Sequence, residues 1–256
     1  MCSSVSSTTV QSWRQRTPSS FSLKIQNFSH VEKSTLFSDG KYESSLFSSG
    51  GYNWRMILYP KGNNKDDGNG FISMYVEIDG TSLSTTPPYE VFADLRRSMR
   101  VSTPPTNWEI HSLHEELSQP KFSWTIKNFS KLNESCKESC NFSMGGRKWV
   151  LKLYPKGDAS AEGKWLSLYL HLAQCEKLRE TEKIFVQAQL RILDPRGSNH
   201  VTNTIAYWHI SSNLDWGYRK FVSLAELPNA YLDKDTLNVE IEFEVVSEAE
   251  YSSSMI

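Results

Sequence analysis

The sequence predicts an all-β fold, an antiparallel eight-stranded β-sandwich present once complete and once cut short at its C-terminal side. Three observations carry this. Residues 237–245 (LNVEIEFEV) alternate apolar and polar without a break, as a half-buried antiparallel strand does. Short apolar stretches are separated by turn sequences such as Pro155-Lys156-Gly157 and Asp194-Pro195-Arg196-Gly197. No long amphipathic helix is visible, and the 8 Trp, 11 Tyr and 12 Phe are the large rings that fill sandwich cores.

The elements follow in order. Residues 1–20 hold seven Ser, three Thr, Arg14 and Arg16 and no acid, which reads as a disordered tail and is compatible with a transit peptide. FSLKIQNFS at 21–29 returns as FSWTIKNFS at 122–130, with six of nine positions identical. Residues 48–62 (SSGGYNWRMILYPKG) return at 143–157 (SMGGRKWVLKLYPKG), with nine of fifteen identical. SMYV at 73–76 returns as SLYL at 167–170, and VFADLR at 91–96 as VQAQLR at 186–191. The order is kept at a spacing of about 100 residues, which is right for tandem domains and too long for a solenoid unit. The first copy is expected to span 21–100 and to lack its final third. STPPT at 102–106 marks a linker over 101–120, in which residues 111–117 read as a short helix. The complete copy is expected over 121–247, followed by a tail at 248–256. Within it Leu166, Leu168, Leu170 and Leu172 share one face of a strand, and Trp165, Ser167, Tyr169 and His171 the other. Trp149, Leu151 and Leu153 mark another strand, Val186, Ala188, Leu190 and Ile192 a third, and residues 224–227 a helical turn.

Composition excludes several functions. Lys+Arg is 28 against Asp+Glu 29, a net charge of −1, which lacks the cation surplus a nucleic-acid binder needs. No apolar run approaches the ~20 residues that span a bilayer, and no apolar signal-peptide core is present. Four Cys are too few for a disulfide scaffold, so the compartment is expected to be cytoplasmic or nuclear. N-x-S at Asn27 and Asn128 falls beside Phe28 and Phe129, where a glycan would obstruct packing. Cys136, Cys140, His171 and Cys175 supply thiol and imidazole donors, but their spacing is loose, and neither a metal nor another cofactor is expected. His111, His114 and Glu115 do not match the HExxH zinc spacing. No nucleophile elbow, P-loop or dinucleotide fingerprint occurs.

FSWTIKNFS, GGRKWVLKLYPKG, WLSLYLHL, the Asp215-Trp216-Gly217-Tyr218 segment, read as a turn or loop, and LNVEIEFEVV stand in the order found in MATH (meprin and TRAF homology) domains. The chain resembles a plant tandem MATH-domain, TRAF-like protein, over all of 121–247 and the first part of the pattern at 21–96. That resemblance implies a non-enzymatic interaction module or adaptor. In family members a groove along one sheet takes an extended partner peptide by strand addition, with small side chains set between aromatic rings. Carried over, the groove residues are Tyr169, Tyr207, Asp215, Trp216, Gly217 and Tyr218, with Trp208 as an alternative to Tyr207 and Lys156 at a position that is basic in some members. Chemically, Trp216 and Tyr218 offer flat apolar area. Asp215 can accept a ligand N–H or hydroxyl, and Gly217 lets backbone come close. The implied partners are proteins carrying short linear motifs. An incomplete first domain, with an uncovered edge, adds the expectation of association with another chain that donates strands. The alternatives are a protein related to ubiquitin-pathway hydrolases, although the two repeats leave no room for a catalytic domain, and a truncated isoform without an independent role.

Overall fold

The computed structural model describes residues 19–26, 28, 40–82, 93, 95, 107–113, 117 and 119–253. The expected tail at 1–18, the linker sequence 102–106 and most of 91–96 lie outside the described residues. The second copy is built from β7 (Lys121–Lys127), β8 (Lys137–Glu138), β9 (Phe142–Met144), β10 (Arg147–Tyr154), β11 (Trp165–Leu172), β12 (Glu182–Ile192), β13 (Val201–Ile210), β14 (Asp215–Ser223), β15 (Leu232–Asp233) and β16 (Thr236–Ser253). One sheet runs β7-β16-β12-β13 and the other β8-β10-β11-β14, with β9 also on β10. With β8 and β9 taken as one interrupted strand, this is the expected eight-stranded antiparallel sandwich.

Period-two side-chain alternation builds its core. Leu166, Leu168, Leu170 and Leu172 of β11 meet Ile184, Val186, Leu190 and Ile192 of β12 and Leu237, Val239 and Ile241 of β16, all fully buried. Each such side chain stabilises the fold by about 2 kcal/mol relative to exposure. Trp149 is fully buried, and its indole N–H donates to the Met144 carbonyl at 2.9 Å, so no polar group is stranded.

The first copy repeats this plan in part. β2 (Tyr42–Glu43) and β3 (Phe47–Ser49) flank β4 (Tyr52–Tyr59) on one side and β5 (Ser73–Ile78) on the other. Trp54 Nε1 donates to the Ser49 carbonyl at 2.9 Å, as Trp149 does to Met144. Phe21 of β1 (Phe21–Ile25) stacks on Phe47 at 4.2 Å, as Phe122 does on Phe142 at 4.0 Å. The sequence repeat is therefore also a repeat of packing.

Two findings depart from expectation. Residues 107–113, inside the segment read as a linker and partly as helix, form β6 (Asn107–Leu113). β16 continues to Ser253 rather than ending near 247. β6 pairs antiparallel with Ser247–Ser253 of β16, and β1 pairs with β6 in parallel, the single parallel pairing among the described strands. β6 is thus flanked on both sides by strands of the same chain, while β5 pairs only with β4 among the described strands. The physical reason β6 escapes the pattern is its inverted polarity. Asn107, Glu109 and His111 point inward and are buried, while Trp108 and Ile110 are half-buried on the other face. Glu109 accepts from the Tyr42 hydroxyl and from the Ser45 amide (2.6 Å) and pairs with Lys183 of β12 at 3.1 Å. His111 lies 4.8 Å from the Tyr42 ring and 6.0 Å from Trp208, with neither ring nitrogen hydrogen-bonded.

His111 and His209 are both fully buried, and burial pushes each imidazole from 6.5 down to about 4; Lys183 adds to the effect at His111. A folded pKa below the unfolded one means that the unfolded chain binds more protons between pH 6.5 and 4. Stability is therefore complete above the unfolded value and falls as pH drops through that window. Between pH 7 and 5, largely above the carboxylate range, each ring is expected to cost roughly 2 kcal/mol. Urea midpoints measured across this interval should fall steadily; a flat profile would contradict the burial of these two rings.

Candidate functional site

β13 and β14 are joined by a tight turn in which Ile210 N–H donates to the Asn213 carbonyl (3.0 Å) and Asn213 N–H to that of Ile210 (2.9 Å). This turn carries the chain from one sheet to the other. β13 becomes the last strand of the first sheet and β14 the last of the second, paired only with β11 among the described strands. The Asp215–Tyr218 sequence is thus not a loop but the start of an edge strand. Its register sets Asp215 opposite His171, Trp216 opposite Leu170, Gly217 opposite Tyr169 and Tyr218 opposite Leu168. Alternation then divides the four β14 residues between its two faces, Asp215 and Gly217 on the side of Tyr169 of β11, and Trp216 and Tyr218 on the side of Tyr207 of β13.

On the side toward the other sheet, Tyr207 and Trp216 stack with ring centroids 3.8 Å apart and planes 2° from parallel. Trp216 is still 40% exposed, so the pair forms a rim and not a sealed core. Tyr218 is half-buried, edges onto Phe221 at 6.1 Å, and donates its hydroxyl to the Thr204 carbonyl at 2.5 Å. Asn213 ties the rim together. With its amide oxygen accepting from the Tyr207 hydroxyl (3.1 Å), its nitrogen donates to the Asp215 carboxylate (3.1 Å) and carbonyl (3.0 Å). Trp208 points to the opposite face, 5.3 Å from Phe185 and beneath the Lys183 ammonium at 4.8 Å, and does not join Trp216.

On the outer face, Tyr169 meets Tyr154 edge-on at 5.8 Å and donates to Asp158 Oδ2 at 3.1 Å. Arg219 Nε lies 4.0 Å from the same carboxylate. Burial raises the Tyr169 phenol, with the Asp158 hydrogen bond adding to it, and burial pushes Tyr154 up to about 12. Both phenols are neutral donors at ordinary pH. Asp158, Asn213 and Arg219 were not singled out from sequence. Asp158 has a structural counterpart in the first copy, where Tyr75 donates to Asp66 at 2.5 Å and meets Tyr59 edge-on at 5.7 Å, but the repeat aligns Asp158 with Asn63 and so gave no signal for it. Lys156 is exposed at the turn after β10.

Gly217 corrects its expected role. A Cβ there would lie 2.2 Å from the Leu168 carbonyl oxygen and 2.6 Å from Tyr169 Cα. The close approach is to the neighbouring strand β11, where the register shifts between Leu166 and Leu168, and the glycine is needed to seat β14 at all. The site offers rings, phenols and a carboxylate along an edge. Among the described residues no group of three or more His, Cys, Asp or Glu is gathered to hold a metal, and burial raises the Cys136 thiol, which disfavours its thiolate.

A family model described as MATH domain matches residues 20–115 and again 121–243. The chain is 30% identical over 198 residues to TNF receptor-associated factor homolog 1a of Arabidopsis thaliana, covering 72% of this chain and 18% of that protein. It is 33% identical over 138 residues to MATH domain and coiled-coil domain-containing protein At3g58250 of Arabidopsis thaliana, covering 52% of this chain and 45% of that one. It is 31% identical over 137 residues to Ubiquitin C-terminal hydrolase 12 of Arabidopsis thaliana, covering 52% of this chain and 12% of that one. The chain thus spans less than half the length of each of these curated relatives.

The Gly217 geometry gives a direct expectation. Gly217→Ala forces β14 away from β11 and should destabilise the second copy by about 1–3 kcal/mol. A denaturant midpoint equal to that of the parent chain would contradict the close approach.

Proposed function

The chain belongs to the MATH-domain family, and from that premise we propose that it is a non-enzymatic adaptor that takes an extended segment of a partner protein along the edge of β14. MATH domains are protein-interaction modules, so the question is which surface of this one does the binding. The observation that carries the reading is the position of β14. It is the last strand of its sheet, with unpaired backbone along its outer side among the described elements and an exposed tryptophan at its start.

An added strand places its side chains alternately above and below the sheet. One set would meet the Tyr207–Trp216 stack and Tyr218; the other would meet Tyr169, across the side-chain-free Gly217, and Asp215. The division of the six residues between two faces is what a strand-shaped ligand requires, and a compact small molecule would engage one face only. Main-chain hydrogen bonds to β14 supply sequence-independent affinity, and the two rows of side chains supply selectivity. Asp215, held by Asn213, is oriented to accept a donor from the ligand. The short-motif partners and the non-enzymatic role both rest on this reading.

Selection of displayed peptides against the full chain tests it. Trp216→Ala should weaken the selected peptides by about 30-fold or more, the size of a central aromatic anchor. Arg196→Ala, in the turn at the far end of β13, should leave them unchanged. Equal Kd values for Trp216→Ala and the parent chain would overturn the assignment.

A further inference from the structure

β16 is eighteen residues long, and its two halves have different neighbours along one edge. Thr236–Glu242 pairs with β7 of the second copy, and Ser247–Ser253 pairs with β6 of the first, while β12 runs along the opposite edge. β1 and β7 are the repeat-equivalent strands. In the second copy β16 stands between β7 and β12; in the first copy β6 stands between β1 and the far half of β16. The segment 247–253 therefore occupies, beside β6, the place that β12 occupies beside β16.

Side chains make the same point. The inward face of β6 is Asn107, Glu109 and His111, with Leu113 at its end, whereas that of β16 in the second copy is Leu237, Val239 and Ile241. The buried Glu109 carboxylate faces the first copy's Tyr42 and Ser45, but its cation comes from the second. Lys183 of β12 lies 3.1 Å from Glu109 and donates to Ser45 Oγ at 3.1 Å, between the rings of Trp208 (4.8 Å) and Tyr42 (5.8 Å). A buried carboxylate whose cation is removed is strongly destabilising.

We propose that residues 247–253 are a strand lent by the second copy to the first, with Lys183 as its electrostatic anchor, so that the first copy keeps its fold only while both are in place. The dependence falls mainly on the first copy, because the second copy's core of Trp149, Leu151, Leu168, Leu170 and Val239 lies within its own two sheets and only Phe185 is buried against Leu113 of β6. The strand donor that an incomplete repeat needs is found in the same chain, and no second molecule is required to complete the pairing of β6.

Hydrogen exchange on the full chain and two variants tests this. In Lys183→Met, which keeps the apolar stem, amides of β2, β4 and β5 should lose protection by about 100-fold, while those of β10 and β11 change by less than about threefold. A chain ending at Val246 should show the same selective loss, and a synthetic peptide of residues 245–253 at millimolar concentration should restore it. The proposal is overturned if β2, β4 and β5 keep parental protection in either variant. It is equally overturned if both copies lose protection alike in Lys183→Met, or if the peptide restores nothing.

Discussion

One strand organises this molecule. β16 pairs with β12 from Val239 to Glu250 on one edge and with β7 and then β6 on the other. Because it is central in its sheet, its inward face must be apolar where it closes the second copy, and Leu237, Val239 and Ile241 are fully buried there. Its register fixes β12, and β12 fixes β13. The tight turn after Ile210 then carries the chain across to β14. The edge strand that bears the aromatic rim is thus the last step in a sequence of pairings that starts at the middle of the opposite sheet.

The same strand explains how a repeat and a part-repeat share one chain. The second copy closes with an apolar face inside its own two sheets, and Phe185 of β12 packs across the junction on Leu113 of β6. The first closes with Asn107, Glu109 and His111, and its buried charge is balanced across the junction by Lys183. Burying a carboxylate costs several kcal/mol unless it is paired and hydrogen-bonded. Glu109 has the Tyr42 hydroxyl, the Ser45 amide and the Lys183 ammonium around it. A polar junction of this kind specifies one arrangement of the two copies, since sliding β6 by one residue would present Trp108 and Ile110 instead and leave Lys183 without its partner.

Much of this was legible in the sequence, for a physical reason. Strands whose inward face is apolar announce themselves by alternation, and residues 237–245 and the leucines at 166–172 do so. β6 does not. Trp108 and Ile110 occupy the phase that ends up half-buried, while the buried phase is polar up to Leu113 and is balanced by residues far away in sequence. The pattern that could have found it is not hydrophobic but repetitive: Asn-x-Glu-Ile at 107–110 recurs at 238–241. At the site, residue identities could be carried from the family resemblance, but their mutual geometry could not. The stacking of Tyr207 on Trp216 follows from the turn that switches sheets, and the choice between Tyr207 and Trp208 follows from which face of β13 looks inward. The need for Gly217 arises from its neighbour β11 and not from a ligand, a distinction that spacing alone does not carry.

Strand addition at β14 makes a demand on particular backbone atoms. Amide exchange of residues 215–220, followed residue by residue with and without a bound partner peptide, reads those atoms directly. The account predicts that alternate amides of β14, those directed away from β11, slow sharply on binding while their neighbours, already bonded to β11, change little. A peptide that binds and leaves the whole of β14 exchanging as in the free chain would contradict it.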